Sequence, residues 1–377
     1  MPQMKILYLT DQIYLHGGAE KILIQKLNHW VEKFGYDVTL VTTQQLGKKP
    51  FFKLNPAVKM IDLGIDYIEG VSYFKYANFS KFATHYKKLK AVINQINPDA
   101  TFVISQSLLR FITPFAAGKH KIYYEYHTSY YGFQLGYEKL PALKKLKKRI
   151  SYKVIETIES KYTNVVFLNQ AEYDHYQRKN AVIIPNFFDE IINPIVCEKK
   201  KQVITLGRLS YQKGYDLLID AWELIEKEVP DWTLEIFGNG ENRSKLEQQI
   251  AAKNLIQNVH LNEATDAVNL KLSESAFYVM SSRFETFPMV LLEAMSNQLP
   301  VVSFDCPTGP SSMLTVGEDG ILAAPGNIRE LADKMLYLIQ NEALRQTMGF
   351  KAKQNVNRFN PDSVMEKWDV LIKSKKK

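Results

Sequence analysis

Two acidic residues in the second half of the chain are the first candidates for chemistry. Glu285 precedes a proline in the segment SSRFETFPMVLLEAM, and Glu293 follows eight positions later in an apolar, helix-like run. A carboxylate within an apolar run is costly unless it accepts hydrogen bonds. At this point a structural carboxylate and a ligand-binding carboxylate both remain open for Glu293.

Two basic residues lie in another loop that follows a predicted strand. The segment LGRLSYQKGYDLL contains Arg208 and Lys213 between glycines. A guanidinium and an ammonium group on one loop can share the oxygens of a diphosphate, although two solvated surface cations are the alternative. The free backbone N–H groups near Thr286 to Met289, at the start of a helix predicted from Pro288, offer a further anion site.

Glycines mark two more loops after predicted strands. In HGGAEK, Gly17 and Gly18 allow close approach of backbone N–H groups to a ligand, and a helix starting near Ala19 would direct its positive end at an anion. The loop lacks the GxGxxG pattern, which disfavours a dehydrogenase. A plain tight turn is the alternative here, and the turn around Gly238 in IFGNGEN needs no ligand at all.

Apolar, β-branched runs alternate with helical stretches twice along the chain. One series extends from KILYLT to AVIIP, and the second begins at KQVITLG. This alternation predicts an α/β protein with two doubly wound parallel sheets that face each other across a cleft. We assign an N-terminal domain to 1–186, a linker to 187–200 and a C-terminal domain to 201–360. A helix with a basic tail, 361–377, is a candidate to pack back on the N-terminal domain.

Charge and cysteine content limit the classes of function. The net charge is +8, and residues 1–186 hold 26 Lys and Arg against 14 Asp and Glu. Such a basic half suits an acidic partner: nucleic acid, anionic lipid or a phosphorylated substrate. Cys197 and Cys306 are far apart and form neither a disulfide framework nor a zinc motif, which fits a reducing cytoplasm. No apolar run is long enough to span a membrane.

Taken together, five segments resemble those of retaining GT-B fold glycosyltransferases of family 4. They are HGGAE, IIPNFFD, GRLSYQKG, FGNGEN and the block SSRFETFPMVLLEAMSNQLPVVSFDCPTGPSSML. The resemblance implies two Rossmann-like domains and a nucleotide-sugar substrate, expected to be UDP-linked, without further cofactor. No metal is expected, and the chain has no Asp-x-Asp motif of the metal-dependent transferase fold.

The resemblance also implies residue roles. Arg208 and Lys213 would bind the donor diphosphate, Glu293 the ribose hydroxyls, and Glu285 and His127 the donor sugar. The residues expected in catalysis are His127, Arg208, Lys213 and Glu285. The residues expected to bind the donor are Gly17, Gly18, Asn186, Arg208, Lys213, Gly238, Thr286, Phe287 and Glu293. Where relatives have glycine after the first acid, this chain has Thr286, which leaves donor choice open.

Similar enzymes assemble bacterial surface polysaccharides such as lipopolysaccharide or capsule. The resemblance therefore implies transfer of a hexose or N-acetylhexosamine to a glycan or a polyprenyl-diphosphate-linked acceptor, in the cytoplasm or at the inner face of the cell membrane. A nucleotide-sugar epimerase of the same fold is an alternative, and so is a non-enzymatic basic lipid- or nucleic-acid-binding protein. No nucleic-acid motif is present, so nucleic acid is not expected as a partner.

The segment around residues 129–158 combines aromatic residues with an amphipathic helix. Four apolar side chains share one helix face opposite Lys and Arg: Leu143, Leu146, Ile150 and Val154. The sequence allows two interpretations. The apolar face packs into the core and leaves a solvated basic face, or the helix docks on an anionic membrane.

Overall fold

Two parallel β-sheets, one in each half of the chain, organise the structure. The computed structural model describes residues 3–15, 17–68, 70–73, 75–134, 137, 140–188 and 197–374. Most of the predicted linker, 189–196, lies outside the described residues, as do the last three residues of the basic tail. The fold is α/β, with two Rossmann-like domains as predicted.

The first domain has a seven-stranded sheet in the order β3-β2-β1-β4-β5-β6-β7. Its strands are β1 Lys5–Thr10, β2 Asp37–Thr42, β3 Lys59–Asp62, β4 Ala100–Val103, β5 Lys121–Glu125, β6 Asn164–Phe167 and β7 Ala181–Ile183. Its helices are α1 Gly18–Glu32, α2 Tyr76–Phe79, α3 Phe82–Ile96, α4 Leu108–Ala116, α5 Tyr130–Gln134, α6 Ala142–Glu159 and α7 Gln170–Tyr176.

The second domain has a six-stranded sheet in the order β10-β9-β8-β11-β12-β13. Its strands are β8 Gln202–Leu206, β9 Thr233–Phe237, β10 Val259–Asn262, β11 Phe277–Met280, β12 Val301–Phe304 and β13 Gly320–Ala323. The helices that follow are α8 Tyr215–Glu223, α9 Arg243–Ala252, α10 Val268–Glu274, α11 Met289–Ser296, α12 Ile328–Gln340, α13 Glu342–Asn355 and α14 Pro361–Lys373.

The strand order of each sheet identifies where a ligand can bind. All pairings are parallel, and the central strands β1 and β11 are buried throughout their apolar residues, as expected for sheets covered by helices on both faces. The order changes direction beside β1 in the first sheet and beside β8 in the second. Ligands of open α/β sheets bind at such switch points, outside the carboxyl ends of the strands.

Helix α14, after the second sheet, returns to the first domain. Trp368 is fully buried in the core of that domain, edge-to-face with Phe102 at 5.6 Å between ring centroids. The side chain of Asn360 accepts a hydrogen bond from the Ser363 N–H at 2.8 Å and begins the helix. The burial of Trp368 ties the end of the chain to the domain in which the chain begins.

Helix α6 turns its apolar face outward and not into the core, which was one of its two predicted orientations. Its four apolar side chains are exposed: Leu143 66%, Leu146 53%, Ile150 54% and Val154 50%. The interpretation in which this face packs into the core is therefore wrong. Within the described part of the chain, no helix is both long and apolar enough to cross a membrane.

Candidate active site

A cavity of about 390 Å³ lies between the domains, among loops that follow strands of both sheets. The predicted residues that line it are Gly18, His127, Asn186, Glu285, Thr286 and Phe287. The first domain also contributes Ser129 and Gly132, and the second contributes Gln212 and Phe284. Residues more than 100 positions apart therefore share one site, because the carboxyl ends of the two sheets face each other.

Glu285 is buried and held by cationic and hydroxyl groups. The Lys213 Nζ lies 2.6 Å from Glu285 Oε1, and the Ser282 hydroxyl donates to the same oxygen at 2.6 Å. Burial lowers the pKa of Lys213, but the charge and hydrogen bond of Glu285, together with the nearby Tyr278 and Cys306, outweigh it, so the pKa lies above its ordinary value. Lys213 therefore stays a cation beside the cavity at neutral pH.

The loop that carries Lys213 is fixed by a glycine. Residues Tyr211–Lys213 form a 3-10 turn that ends at Gly214, whose φ is +63°. A Cβ at Gly214 would lie 2.1 Å from the Ser281 carbonyl oxygen, so only glycine fits. The Ser281 hydroxyl in turn donates to the Lys213 carbonyl at 2.9 Å. These contacts join the loop after β8 to the loop after β11.

The segment after Glu285 presents backbone donors to the cavity. Glu285 and Thr286 precede α11, and Pro288 is the residue just before its first turn. The helix therefore begins at Met289, one residue later than predicted. Among the described residues, the N–H groups of Thr286 and Phe287 have no hydrogen-bond acceptor. Free N–H groups at a helix start form an anion site.

A buried polar cluster joins this segment to the first domain. The Asn169 amide donates to the Thr286 carbonyl at 2.7 Å and to the Thr308 carbonyl at 3.3 Å. The hydroxyls of Ser129 and Thr308 are 2.9 Å apart, and that of Thr308 also donates to the Glu285 carbonyl. Thr308 has φ +61°, an unusual value for a β-branched residue. In this strained conformation the Thr308 hydroxyl contacts Ser129 of the first domain and Glu285 of the second.

Sequence reasoning missed this polar cluster. Asn169 carried one available signal, since it follows β6 and begins α7 as an N-cap, with its side chain accepting from the Glu172 N–H. No sequence signal indicated the hydrogen bonds of Asn169 to the other domain, because these bonds depend on how the two sheets face each other. Glu172 is fully buried, and loss of solvation raises its pKa to about 7.

His127 lies on the first-domain side of the cavity. Its Nε2 is 3.1 Å from Glu125 Oε2, and the same oxygen pairs with the Lys26 ammonium. Lys26 and Glu125 are fully buried, and the Lys26 Nζ also lies 4.4 Å from the Trp368 ring centroid. Although burial opposes its charge, Lys26 and His127 lower the pKa of Glu125. An ionised Glu125 orients the His127 ring.

Asn186 supplies an unused acceptor. The residue is 4% exposed and lines the cavity, and its side-chain Oδ1 has no hydrogen-bond partner among the described residues. A buried acceptor without a donor is costly unless a ligand or water satisfies it. A ligand hydroxyl in the cavity would supply that donor.

Other predicted site residues lie outside the cavity lining. Arg208 is largely exposed and pairs with Glu241, with Nη2 3.2 Å from Oε2. The N–H of Gly238 donates to the Asn262 carbonyl, and its carbonyl accepts from Arg243, so both its backbone groups are used within the domain. Gly17 precedes α1 and accepts from the Lys21 N–H at 3.0 Å.

Glu293 has a partner from the other domain. Its Oε1 lies 3.0 Å from the Lys21 Nζ on α1. Helix α11 thus directs Glu293 toward the first domain rather than into its own core. Both side chains keep some exposure, 18% for Glu293 and 39% for Lys21. The described residues contain no group of three His, Cys, Asp or Glu side chains that could hold a metal ion.

Comparison with known proteins relates the chain to glycosyltransferases. Residues 188–355 match the family model described as Glycosyl transferases group 1. An uncharacterized glycosyltransferase of Haemophilus influenzae is 26% identical over 376 residues, 98% of this chain and 99% of the relative. The amylovoran biosynthesis glycosyltransferase AmsD of Erwinia amylovora is 24% identical over 387 residues, again 98% of this chain and 99% of the relative.

A third relative and a solved structure agree with these matches. The poly(ribitol-phosphate) alpha-N-acetylglucosaminyltransferase of Staphylococcus aureus is 30% identical over 260 residues, which are 68% of this chain and 52% of that protein. A mutant of TarM from S. aureus, in complex with fondaparinux, alpha-GlcNAc-glycerol and UDP, superposes with a TM-score of 0.78. It is 19% identical over 99% of this chain and all of that one, a similarity that supports the fold alone. The fold and the similarity to glycosyltransferases over nearly the whole chain support a glycosyltransferase of the GT-B type.

Proposed function

We propose that the protein is a retaining, metal-independent hexosyltransferase of family 4. It transfers a hexose or N-acetylhexosamine from a UDP-sugar to a glycan acceptor in surface polysaccharide or glycoconjugate synthesis. The observation that carries this proposal is the buried Lys213–Glu285 ion pair beside the unpaired N–H groups of Thr286 and Phe287. The carboxylate and the backbone donors line one cavity between the domains, and the cation pairs with that carboxylate.

The charges of the reaction match this arrangement. Breaking the bond between sugar and diphosphate builds negative charge on the leaving diphosphate and positive charge on the sugar ring. The Lys213 ammonium has three N–H donors, so it can keep its hydrogen bond to Glu285 and still donate another to a phosphate oxygen. The N–H groups of Thr286 and Phe287 add preorganised donors, and the carboxylate of Glu285 opposes the charge on the ring.

The donor is proposed to be UDP-linked. The TarM mutant structure contains UDP, and its fold matches 99% of this chain. The unused Oδ1 of Asn186 is available to a hydroxyl of the donor sugar. Glu293 would accept hydrogen bonds from the ribose hydroxyls. To do so, its carboxylate must break its ion pair with Lys21 or bind Lys21 and the ribose together. Arg208 would turn from Glu241 toward the diphosphate, a small change for an exposed side chain.

The acceptor is proposed to be a glycan, either free or linked to a polyprenyl diphosphate. AmsD is named for amylovoran synthesis, and the S. aureus relative for transfer to poly(ribitol phosphate). We therefore propose that this chain works in the cytoplasm at the inner face of the membrane, where lipid-linked acceptors are extended.

The proposal is tested with the purified protein, a panel of UDP-sugars, and lipid-linked and soluble glycan acceptors. We expect turnover of one UDP-sugar that survives EDTA, and a decrease in kcat of at least about 100-fold in Lys213→Ala. Lys253→Ala is the matched control, because Lys253 also pairs with carboxylates but on the surface of the second domain. Loss of turnover in EDTA that added metal restores would contradict metal independence.

Two further outcomes separate the alternative functions. Conversion of the donor to a new sugar nucleotide in the absence of acceptor would identify an epimerase. Absence of UDP binding by calorimetry, together with salt-sensitive binding to RNA or lipid, would favour a non-enzymatic binding protein. Retention of the anomeric configuration is read from the NMR coupling constant of the product.

A further inference from the structure

Helix α6 packs on the first domain with a side that is mostly polar. The side chains that turn inward are those of Lys145, Lys148, Tyr152, Ile155, Ile158 and Glu159, and of these Ile158 packs against the apolar core. One turn away, Leu143, Leu146, Ile150 and Val154 form a continuous exposed stripe, since residues three and four apart lie on one face of a helix. A surface helix of a globular protein normally shows the reverse arrangement.

The orientation of α6 is fixed by an ionic anchor near its end. Glu159 is fully buried and pairs with Arg110, while the Arg178 Nε lies 2.7 Å from its Oε2. The Tyr126 hydroxyl donates to Glu159 Oε1 at 2.5 Å. Turning the apolar stripe inward would carry Glu159 to the surface and leave the buried Arg110 without its carboxylate, which is strongly unfavourable. The apolar stripe is therefore held outward.

Cations flank the exposed stripe on both sides. Helix α6 contains six Lys and Arg residues but only Glu156 and the buried Glu159 as acids. Four of the cations have exposed side chains: Lys144, Lys147, Arg149 and Lys153. On the adjoining helix α4, the Phe115 ring is 51% exposed, with the Lys161 Nζ 5.5 Å from its centroid. Apolar side chains with cations beside them thus continue beyond α6.

We infer that α6 and Phe115 form a docking surface for an anionic lipid bilayer. An apolar stripe bordered by cations matches the interface of such a bilayer, where aliphatic groups enter the acyl boundary and Lys or Arg contact headgroup phosphates. The long Lys and Arg side chains reach past the stripe without withdrawing its apolar groups. A protein groove that covered four aliphatic side chains would not require cations on both of its edges.

The position of this surface gives it a role in acceptor delivery. Helix α5 lies just before α6 in the chain and carries Gly132, which lines the catalytic cavity. Ala142, the first residue of α6, follows Gly132 by ten positions, so the two lie within about 35 Å of each other. A lipid-linked acceptor in a bilayer bound at α6 would therefore be delivered on the first-domain side of the cavity. This role depends on the proposed function, whereas the binding to lipid does not. The two are tested separately.

The test is sedimentation of the full chain with vesicles, without donor or acceptor. We expect the wild type to bind phosphatidylglycerol-containing vesicles and to bind pure phosphatidylcholine vesicles at least tenfold more weakly. The double variant Leu146→Ser/Ile150→Ser should lose at least tenfold in binding, and Lys147→Gln about fivefold. The control is Phe350→Ser/Val370→Ser, since Phe350 and Val370 are 57% and 63% exposed on helices of the other end of the chain.

Specific outcomes would overturn the inference. Failure of the wild type to bind anionic vesicles would do so, as would an equal loss in the control variant. A dimer in ultracentrifugation that Leu146→Ser/Ile150→Ser converts to monomer would assign the stripe to a second copy of the chain instead. Turnover of a soluble acceptor should be unchanged in the α6 variants, so failure of catalysis in the wild type would concern the proposed function alone.

Discussion

Lys21 on α1 and Glu293 on α11 form an ion pair between the two domains, with Nζ 3.0 Å from Oε1. If Glu293 binds the ribose, this lysine competes with the donor for the carboxylate. A partly exposed pair contributes about 0.2–1 kcal/mol. We therefore expect Lys21→Met to bind UDP up to about fivefold more tightly in calorimetry, and Glu293→Gln to bind it about tenfold more weakly.

A matched control for Lys21 lies on α10. Lys271 also pairs with a carboxylate, that of Glu274 at 3.7 Å, and is 36% exposed. Lys271→Met should leave UDP binding unchanged. Weaker UDP binding in Lys21→Met would instead mean that Lys21 contacts the donor and does not compete with it.

The pKa of Glu172 predicts a dependence of stability on pH. Burial raises this pKa from 4.5 to about 7, so between these values the folded protein keeps a proton that the unfolded chain loses. Stability therefore falls as pH rises through this window, by up to about 3 kcal/mol, and the loss stays constant above it. Glu172→Gln keeps an acceptor for the Tyr130 N–H and has no proton to lose.

Urea unfolding at pH 5 and pH 8 measures this effect. Glu172→Gln should match the wild type at pH 5 and exceed it at pH 8, because only the wild type ionises a buried carboxyl. Glu247→Gln is the control, since Glu247 is 54% exposed on α9. The prediction fails if the advantage of Glu172→Gln is the same at both pH values.

Lys26 illustrates the cost of an incomplete buried ion pair. Replacing it with methionine leaves Glu125 charged in a dry core, with only His127 as its partner. We expect Lys26→Met to lose about 3–5 kcal/mol of unfolding free energy in urea titrations. Lys59→Met should lose less than about 1 kcal/mol, because its pair with Asp37 is largely exposed. Similar losses in both variants would contradict this account.

The sequence predicted the fold because its signals are local. The strand runs, the glycine loops and the segment from Glu285 to Glu293 all depend on neighbouring residues. Lys213 and Glu285 were predicted for one site, and the structure brings their charged atoms to 2.6 Å. The partners of Glu293 and Asn169 could not be predicted, because Lys21 and Thr308 reach them only through the placement of one domain on the other.

The orientation of α6 shows a second limit of sequence reasoning. Its apolar periodicity predicts an amphipathic helix but does not say which face turns inward. That choice depends on Glu159, whose partners Arg110 and Arg178 come from separate elements. Hydrophobic pattern alone would favour the buried alternative, since it contains no information on a distant pair of arginines.

Thr286 provides a test of donor selection. Its carbonyl is fixed by Asn169, so Thr286→Gly removes a side chain from the cavity while that hydrogen bond and the backbone N–H remain. We expect UDP affinity to change by less than about threefold, while the ratio of kcat/KM between N-acetylhexosamine and hexose donors shifts by about tenfold, since a pocket of different size discriminates at this level. The measurement is competition between two UDP-sugars. Thr265→Gly, at a half-buried position outside the cavity, is the control. An unchanged ratio would show that Thr286 does not contact the sugar, and a large loss of UDP affinity would show that glycine disorders the backbone that we propose to bind phosphate.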